Sequence, residues 1–218
     1  MSLKDDVKTV LERDPAPKSY KEALFFSPGL HAIALHRISH NAYLKGDYMI
    51  ARSVNYIARW MTGADIHPGA TIGNGFFIDH ATGVVIGETT IIGENVSVFQ
   101  GVSLAGVDAE KGKKRHPTIG NNVTIGAHAV VMGDITIGEN VKIGAGSVVI
   151  KDVPPNSTVV GIPGRVVKRD GVPVKVDLRH DQLPDPLVDA FYDINHHMIE
   201  LEKRVIELEA ERSKEKLS

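Results

Sequence analysis

The stretch TIGNNVTIGAHAVVMGDITIGENVKIGAGSVV, residues 118–149, repeats itself every six positions. Aliphatic residues stand at Ile119, Ile125, Val131, Ile137, Ile143 and Val149. Glycine follows at Gly120, Gly126, Gly138 and Gly144. Small or branched residues recur four places on, at Ala129, Val141 and Ser147. A period of six fits neither an amphipathic helix nor a plain hairpin. It is the hexapeptide signature of a parallel β-helix. Each hexapeptide supplies one short strand and one turn. The leading aliphatic points inward, and glycine lets the chain bend at the corner. Three hexapeptides make one triangular coil, and successive coils hydrogen-bond along the axis.

Upstream, the same pattern places Ile66, Ile72 and Ile78, then Ile86, Ile92, Val98 and Leu104. Residues 64–167 therefore read as one β-helix domain of about five coils. Two interruptions break it. Between Ile78 and Ile86 the spacing is eight, and Asp79-His80 sits inside that slip. Between Leu104 and Ile119 the spacing is fifteen, so a loop at about 105–117 must leave the scaffold. Polar loops extruded from a rigid frame are common places for function.

On either side the pattern changes. Residues 1–63 read as an N-terminal helical region. VKTVLERD is a short amphipathic piece ended by Pro15 and Pro17. Ser27-Pro28 reads as an N-cap followed by proline at the first helical position. Gly46 stops that helix, Asp47 caps the next, and Gly63 ends it. His31, His36 and His40 fall at helical spacing and read as a partly buried helix face. Residues 168–186 form a proline-containing linker, and residues 187–212 a C-terminal coiled-coil helix. There Leu187, Phe191, Ile194, Met198, Leu201, Val205 and Leu208 alternate by four and three, a heptad seam. With Phe191, Met198 and Val205 as a positions, the pairs His197–Glu202 and Arg204–Glu209 match in sign. A tail of this kind after a prism predicts self-association.

Composition narrows the function. The 218 residues carry a net charge of −2, which gives no support to nucleic-acid or anionic-membrane binding. The absence of cysteine excludes a disulfide framework, a thiol nucleophile and a Cys-type zinc site. The charged N-terminus has no apolar core of a secretory signal, and no run approaches the roughly 20 apolar residues of a membrane helix. The expectation is a soluble, cytoplasmic protein.

The strings DIHPGATIGNGFFIDHATGVVIGET, RHPTIG, GAGSVV and VPPNSTVVGIPGRVVK closely resemble serine O-acetyltransferase, over about residues 10 to 168. DHATG…GET is far more specific than the hexapeptide repeat itself. The resemblance implies a mainly-β, left-handed parallel β-helix that assembles as a homotrimer, with active sites between neighbouring subunits. It implies acetyl transfer from acetyl-CoA to the hydroxyl of L-serine, the first step of cysteine biosynthesis, with no metal. Three departures stand out. The family's longer N-terminal helical region is mostly missing, which favours a trimer over a hexamer. The chain ends EKLS, whereas relatives that bind cysteine synthase end in isoleucine, so that complex is not expected. The usual Gly-Gly is Ala105-Gly106 here, so feedback inhibition by cysteine is not assumed.

Serine's hydroxyl is a weak nucleophile and needs a base as it attacks a thioester. Histidine suits at neutral pH, and the resemblance gives that role to His80. It gives the orienting role to Asp65, whose other reading is a cap on the turn out of the helical region. The substrate carboxylate calls for a cationic fork, assigned to Arg115 and His116. Its ammonium calls for carboxylates, assigned to Asp14 and Asp79, with Glu88 of GET lining the same pocket. Successive strand residues point oppositely, so Asp79 and His80 share a site only where the backbone turns. For acetyl-CoA the matching positions are Ala127 and Ala145, one 18-residue coil apart, whose backbone meets the pantetheine amides. Gly106 is placed near the thioester, where a backbone N–H steadies the oxyanion. Lys142 and Lys168 are assigned to the nucleotide phosphates.

Rival readings stay open on the sequence. One is an acyltransferase of the same scaffold acting on a sugar, homoserine or an antibiotic hydroxyl. Another is a zinc hydratase using His80 and His116, but the third histidine it needs is Asn121. A third is a non-catalytic trimeric scaffold.

Overall fold

The chain divides into two units, Met1–Val174 and Lys175–Ser218. The computed structural model describes residues 3–107, 110, 112–174, 194–202 and 204–205. In the first unit, helices α1 (Leu3–Arg13), α2 (Tyr20–Phe26), α3 (Pro28–Leu44) and α4 (Tyr48–Thr62) precede the strands. Proline fixes the start of α3 without help from Ser27, whose side chain makes no cap bond. α2 was not anticipated. Its signal is the capping box SYKE: the Ser19 hydroxyl accepts the Glu22 N–H at 3.2 Å, and the Glu22 carboxylate reaches back to the Lys18 N–H at 2.8 Å.

The strands stack as three parallel sheets, the faces of a triangular prism. The first sheet holds Asp65–Ile66, Val85–Ile86, Ser103–Ala105, Val130–Met132 and Val148–Val149. The second holds Thr71–Ile72, Ile91–Ile92, Thr118–Ile119 and Thr136–Ile137. The third holds Phe77–Ile78, Ser97–Val98, Thr124–Ile125, Lys142–Ile143 and Ser157–Val160. It then continues antiparallel through Arg165–Arg169 and Val172–Pro173. Lys168 and Arg169 thus lie within the prism's last sheet, past the boundary at 167 expected from the repeat alone.

Register explains the faults. Val85 pairs with Ser103, a regular step of 18 residues. Asp65 pairs with Val85, 20 residues on, so the slip at 79–80 adds two residues to the first coil. Ser103 pairs with Val130, 27 residues on, so the extruded loop adds nine. The leading aliphatics fill the interior: Ile86, Leu104, Ile119, Ile125, Val131 and Ile137 are all buried. Each such side chain contributes roughly 1.5–3 kcal/mol on burial. The corner positions Ala70, Val84, Val96, Ala129 and Val141 close the gaps between them.

The helices cap the first coil. Ala32 and Ile33 of α3 join the same core as Ile66 and Ile78. α3 lies so close that a Cβ on Gly29 would sit 2.0 Å from the Ile78 carbonyl oxygen, which only glycine permits. Of the three helical histidines, His36 is buried. Burial first, then neighbouring His40, pushes its pKa down to about 3, so it is neutral. α1 is held by the buried Asp6 carboxylate, which pairs with Arg37 of α3.

In the second unit, residues 194–202 and 204–205 are helical, with Ile194, Met198, Leu201 and Val205 exposed. The remaining seam positions, Leu187, Phe191 and Leu208, and Glu209 lie outside the described residues.

Candidate active site

The structure brings most of the residues expected around the amino acid into two groups at different corners of the prism, and leaves Asp65 outside both. The first stands where the third sheet turns into the first. The two extra residues of the first coil let the backbone reverse there, and His80 adopts φ 51, the left-handed region that few non-glycine residues occupy. That turn puts Asp79 and His80 on one side. Nε2 of His80 lies 3.8 Å from Oδ1 of Asp79, and the ring is 78% exposed. With Asp14 they line a cavity of about 220 Å³, walled by Val10, Phe26 and Phe77. Asp14 follows α1 and its Oδ1 accepts the Ala16 N–H at 2.8 Å. Arg13 fastens this end of the helix to the second coil, donating to Ser97 Oγ at 2.9 Å.

Asp65 lies elsewhere in the protomer. Its carboxylate accepts from Asn55 Nδ2 at 3.2 Å and from Arg59 at 2.9 Å, both on α4. Its backbone N–H bonds Val84, at the far end of the corner that carries His80. Among the described residues, Asp79 is the carboxylate beside the imidazole.

The second group stands where the first sheet turns into the second. Glu88 and Arg115 line a cavity of about 920 Å³, together with Tyr43 and Thr71. Arg115 Nη2 meets Glu88 Oε2 at 3.3 Å, and Tyr43 Oη donates to Glu88 Oε1 at 3.2 Å. His116 is buried against Gly87, where any Cβ would overlap the ring. Burial first, then the Arg115 and Lys114 cations, lower its pKa, so the ring is neutral. Nδ1 accepts the Thr89 N–H at 3.3 Å, which leaves the proton on Nε2. The Thr89 hydroxyl also accepts N–H groups of Arg115 and His116, at 3.0 and 3.2 Å. GET thereby acquires a physical reading. Glycine makes room for His116, glutamate engages Arg115, and threonine fastens the loop's end. Thr89 and Tyr43 were missed in the sequence, because their partners lie 27 and 45 residues away. Gly106 faces the same group, with a Cβ direction 3.0 Å from His116 Nε2.

The remaining positions share the third sheet and the corner it forms with the first. Gly146 N–H bonds the Ala127 carbonyl, and His128 N–H bonds that of Gln100, so the corner residues stack rung on rung. Ala127 and Ala145 lie on adjacent rungs, below the corner that bears His80. Lys142 pairs with Thr158 and Thr158 with Lys168, which places both lysines in one row of the third sheet.

Comparison with known proteins bears on this arrangement. Residues 116–151 match the family model described as bacterial transferase hexapeptide (six repeats). The chain is 54% identical to the serine acetyltransferase of Bacillus subtilis strain 168, over 98% of each chain. A crystal structure of Neisseria gonorrhoeae serine acetyltransferase in complex with serine aligns with a TM-score of 0.73 and 48% identity, covering 76% of this chain and 67% of that one. The Brucella abortus serine acetyltransferase in complex with coenzyme A aligns with a TM-score of 0.74 and 42% identity, covering 78% and 68%. The prism is accordingly a left-handed parallel β-helix. Identity of this degree over 98% of each chain makes the chain a member of the serine acetyltransferase family.

Proposed function

We propose that this protein transfers the acetyl group of acetyl-CoA to the hydroxyl of L-serine, giving O-acetyl-L-serine and CoA. The observation that carries the reading is the meeting of Asp14, Asp79 and His80 in one cavity. An exposed base there stands beside two carboxylates suited to a substrate ammonium. His80 accepts the hydroxyl proton as the serine oxygen attacks the thioester carbon. The C–O bond forms and the carbonyl becomes an oxyanion, for which the Gly106 N–H is the proposed donor. Collapse breaks the C–S bond, and the imidazolium returns the proton to the thiolate. A positioned base of this kind contributes about 10²–10⁴-fold. Asp65 is the proposed orienting carboxylate, and Arg115 with His116 receives the substrate carboxylate, beside Glu88.

Acetyl-CoA fits the ladder of rungs below His80. Three rungs separate the corner at His80 from Ala145, about 14 Å at roughly 4.8 Å per rung. That track offers backbone groups at Ala127 and Ala145 to the pantetheine amides and ends beside Lys142 and Lys168, which face the phosphates. The two half-sites sit on different corners, so we infer a homotrimer in which one protomer's His80 corner meets its neighbour's Arg115 corner. A head-to-tail contact of this kind closes as a ring. The C-terminal heptad helix is the proposed second tie between the three chains. Among the described residues no helix is long and apolar enough to cross a membrane. We place the reaction in the cytoplasm, at the entry to cysteine biosynthesis.

The test is thiol release from acetyl-CoA with L-serine, homoserine, a sugar and an aminoglycoside as acceptors. The chain has no cysteine, so every thiol detected is CoA. Preference for L-serine is expected, and preference for the sugar or the aminoglycoside would overturn the reading.

A further inference from the structure

Tyr43 belongs to α3, outside both the prism and the extruded loop, yet it reaches the second half-site. Its hydroxyl donates to Glu88 Oε1 at 3.2 Å, and the other oxygen of that carboxylate meets Arg115 Nη2 at 3.3 Å. The phenol ring is fixed from two sides. It stands edge-on to Tyr48 of α4, with centroids 5.1 Å apart and planes at 67°. It stands edge-on to His67 of the first coil, at 5.9 Å and 79°. Offset and edge-on aromatic contacts of this kind hold a ring in one orientation. Helix and loop therefore converge on one carboxylate, while the first coil steadies the phenol ring.

A carboxylate between a phenol and a guanidinium has two options. While the phenol holds one oxygen, Glu88 meets Arg115 end-on through the other. Without the phenol, Glu88 is able to rotate into a two-oxygen pairing, the geometry that arginine and carboxylate favour. That rotation would turn the guanidinium toward Glu88 and away from an incoming carboxylate. Burial, and then the Glu88 charge, raise the Tyr43 pKa, so the hydroxyl remains a donor throughout the neutral range.

We propose that Tyr43 is a positioning residue for the amino-acid substrate, orienting Arg115 through Glu88 and so tying the helical cap to carboxylate recognition. The inference rests on the proposed serine acetyltransfer. Tyr43→Phe keeps the ring and its two aromatic contacts and removes only the hydroxyl, so the fold is not at risk. It should raise KM for L-serine by about 3–10-fold. The turnover number and KM for acetyl-CoA should stay at wild-type values.

A double-mutant cycle with Glu88→Ala separates action through Glu88 from a packing effect. If Tyr43 works through Glu88, Tyr43→Phe adds nothing once Glu88 is alanine. L-serine affinity by calorimetry, read beside KM, scores a double variant that turns over slowly. An unchanged KM in Tyr43→Phe, or an equal penalty with and without Glu88, overturns the role of Tyr43 and leaves the acetyltransfer reading standing. A wild-type protein that transfers no acetyl to L-serine overturns both.

Discussion

His80 occupies backbone space that costs a non-glycine residue about 1–3 kcal/mol. Its ring is largely exposed and approaches Asp79 at 3.8 Å. Strain without a packing return is what the proposed role of His80 would explain, and it coincides with the slip in the hexapeptide register before the loop. The slip was visible in the sequence, as eight residues where six were due. The orienting carboxylate is less simply assigned. Asp79 is near the ring, while Asp65 is engaged by Asn55 and Arg59 within the protomer. The two roles separate kinetically. An orienting carboxylate matters most in the transition state, so Asp65→Asn should lower kcat by about 10²-fold or more with little change in KM for L-serine. An ammonium partner binds ground and transition states alike, so Asp79→Asn should raise KM for L-serine by about 10-fold and leave kcat near wild type. Initial rates at saturating acetyl-CoA check both. The opposite pattern would transfer the orienting role to Asp79.

The next scale is the coil and its corners. Period-six aliphatics predicted the strands because each must enter the interior. Another column escaped notice because its logic is local backbone geometry. At the corner between the second and third sheets, Asn95, Asn122, Asn140 and Asn156 all have φ between 57 and 59, and Asp170 follows at 48. Asparagine tolerates this region better than other side-chain-bearing residues. Stacking makes a ladder: Asn122 Nδ2 donates to Asn140 Oδ1 at 3.2 Å, and Asn140 Nδ2 donates to Asn156 Oδ1 at 2.8 Å. Asn156 in turn donates to Asp170 at 2.9 Å, so the ladder ties the last coil to the closing hairpin. The signal lies in GNN, GEN and PPN, one polar turn per coil. Asn140→Ala breaks two rungs and forces alanine into the left-handed region, for an expected loss of about 1–2 kcal/mol. Asn140→Gly breaks the same rungs without the strain and should lose less. Chemical denaturation of both variants checks the order, and equal losses would remove backbone strain from the account. α2 escaped for a similar reason, since SYKE declares a helix start while the helix it opens, seven residues long, is too short to show a period.

For the molecule as a whole, the fold was legible because repetition multiplies one weak signal over five coils. The candidate site was legible only in part, because its two proposed halves are built by contacts that cross coils. His116 rests on Gly87, 29 positions earlier, and Glu88 answers to a tyrosine in the helical cap. Spacing along one coil cannot reveal such pairs. The separation of the halves onto two corners has a quantitative consequence. His80→Ala spoils one half and leaves the Arg115 corner intact, and Arg115→Ala does the reverse. Each variant alone should be nearly inactive. Suppose the two are co-expressed in equal amounts and assemble at random into closed rings. Every mixed trimer then contains one seam where an intact His80 corner faces an intact Arg115 corner. Three-quarters of the trimers are mixed and each restores one site of three, so about one quarter of wild-type activity should return. A site completed within one chain would return none, because no single protomer carries both halves. Acetyl transfer by the co-purified mixture, set against the two variants purified apart, distinguishes the outcomes. Recovery near one quarter requires a partner copy at the active site, whereas activity no greater than the sum of the separate variants would return the whole chemistry to a single chain.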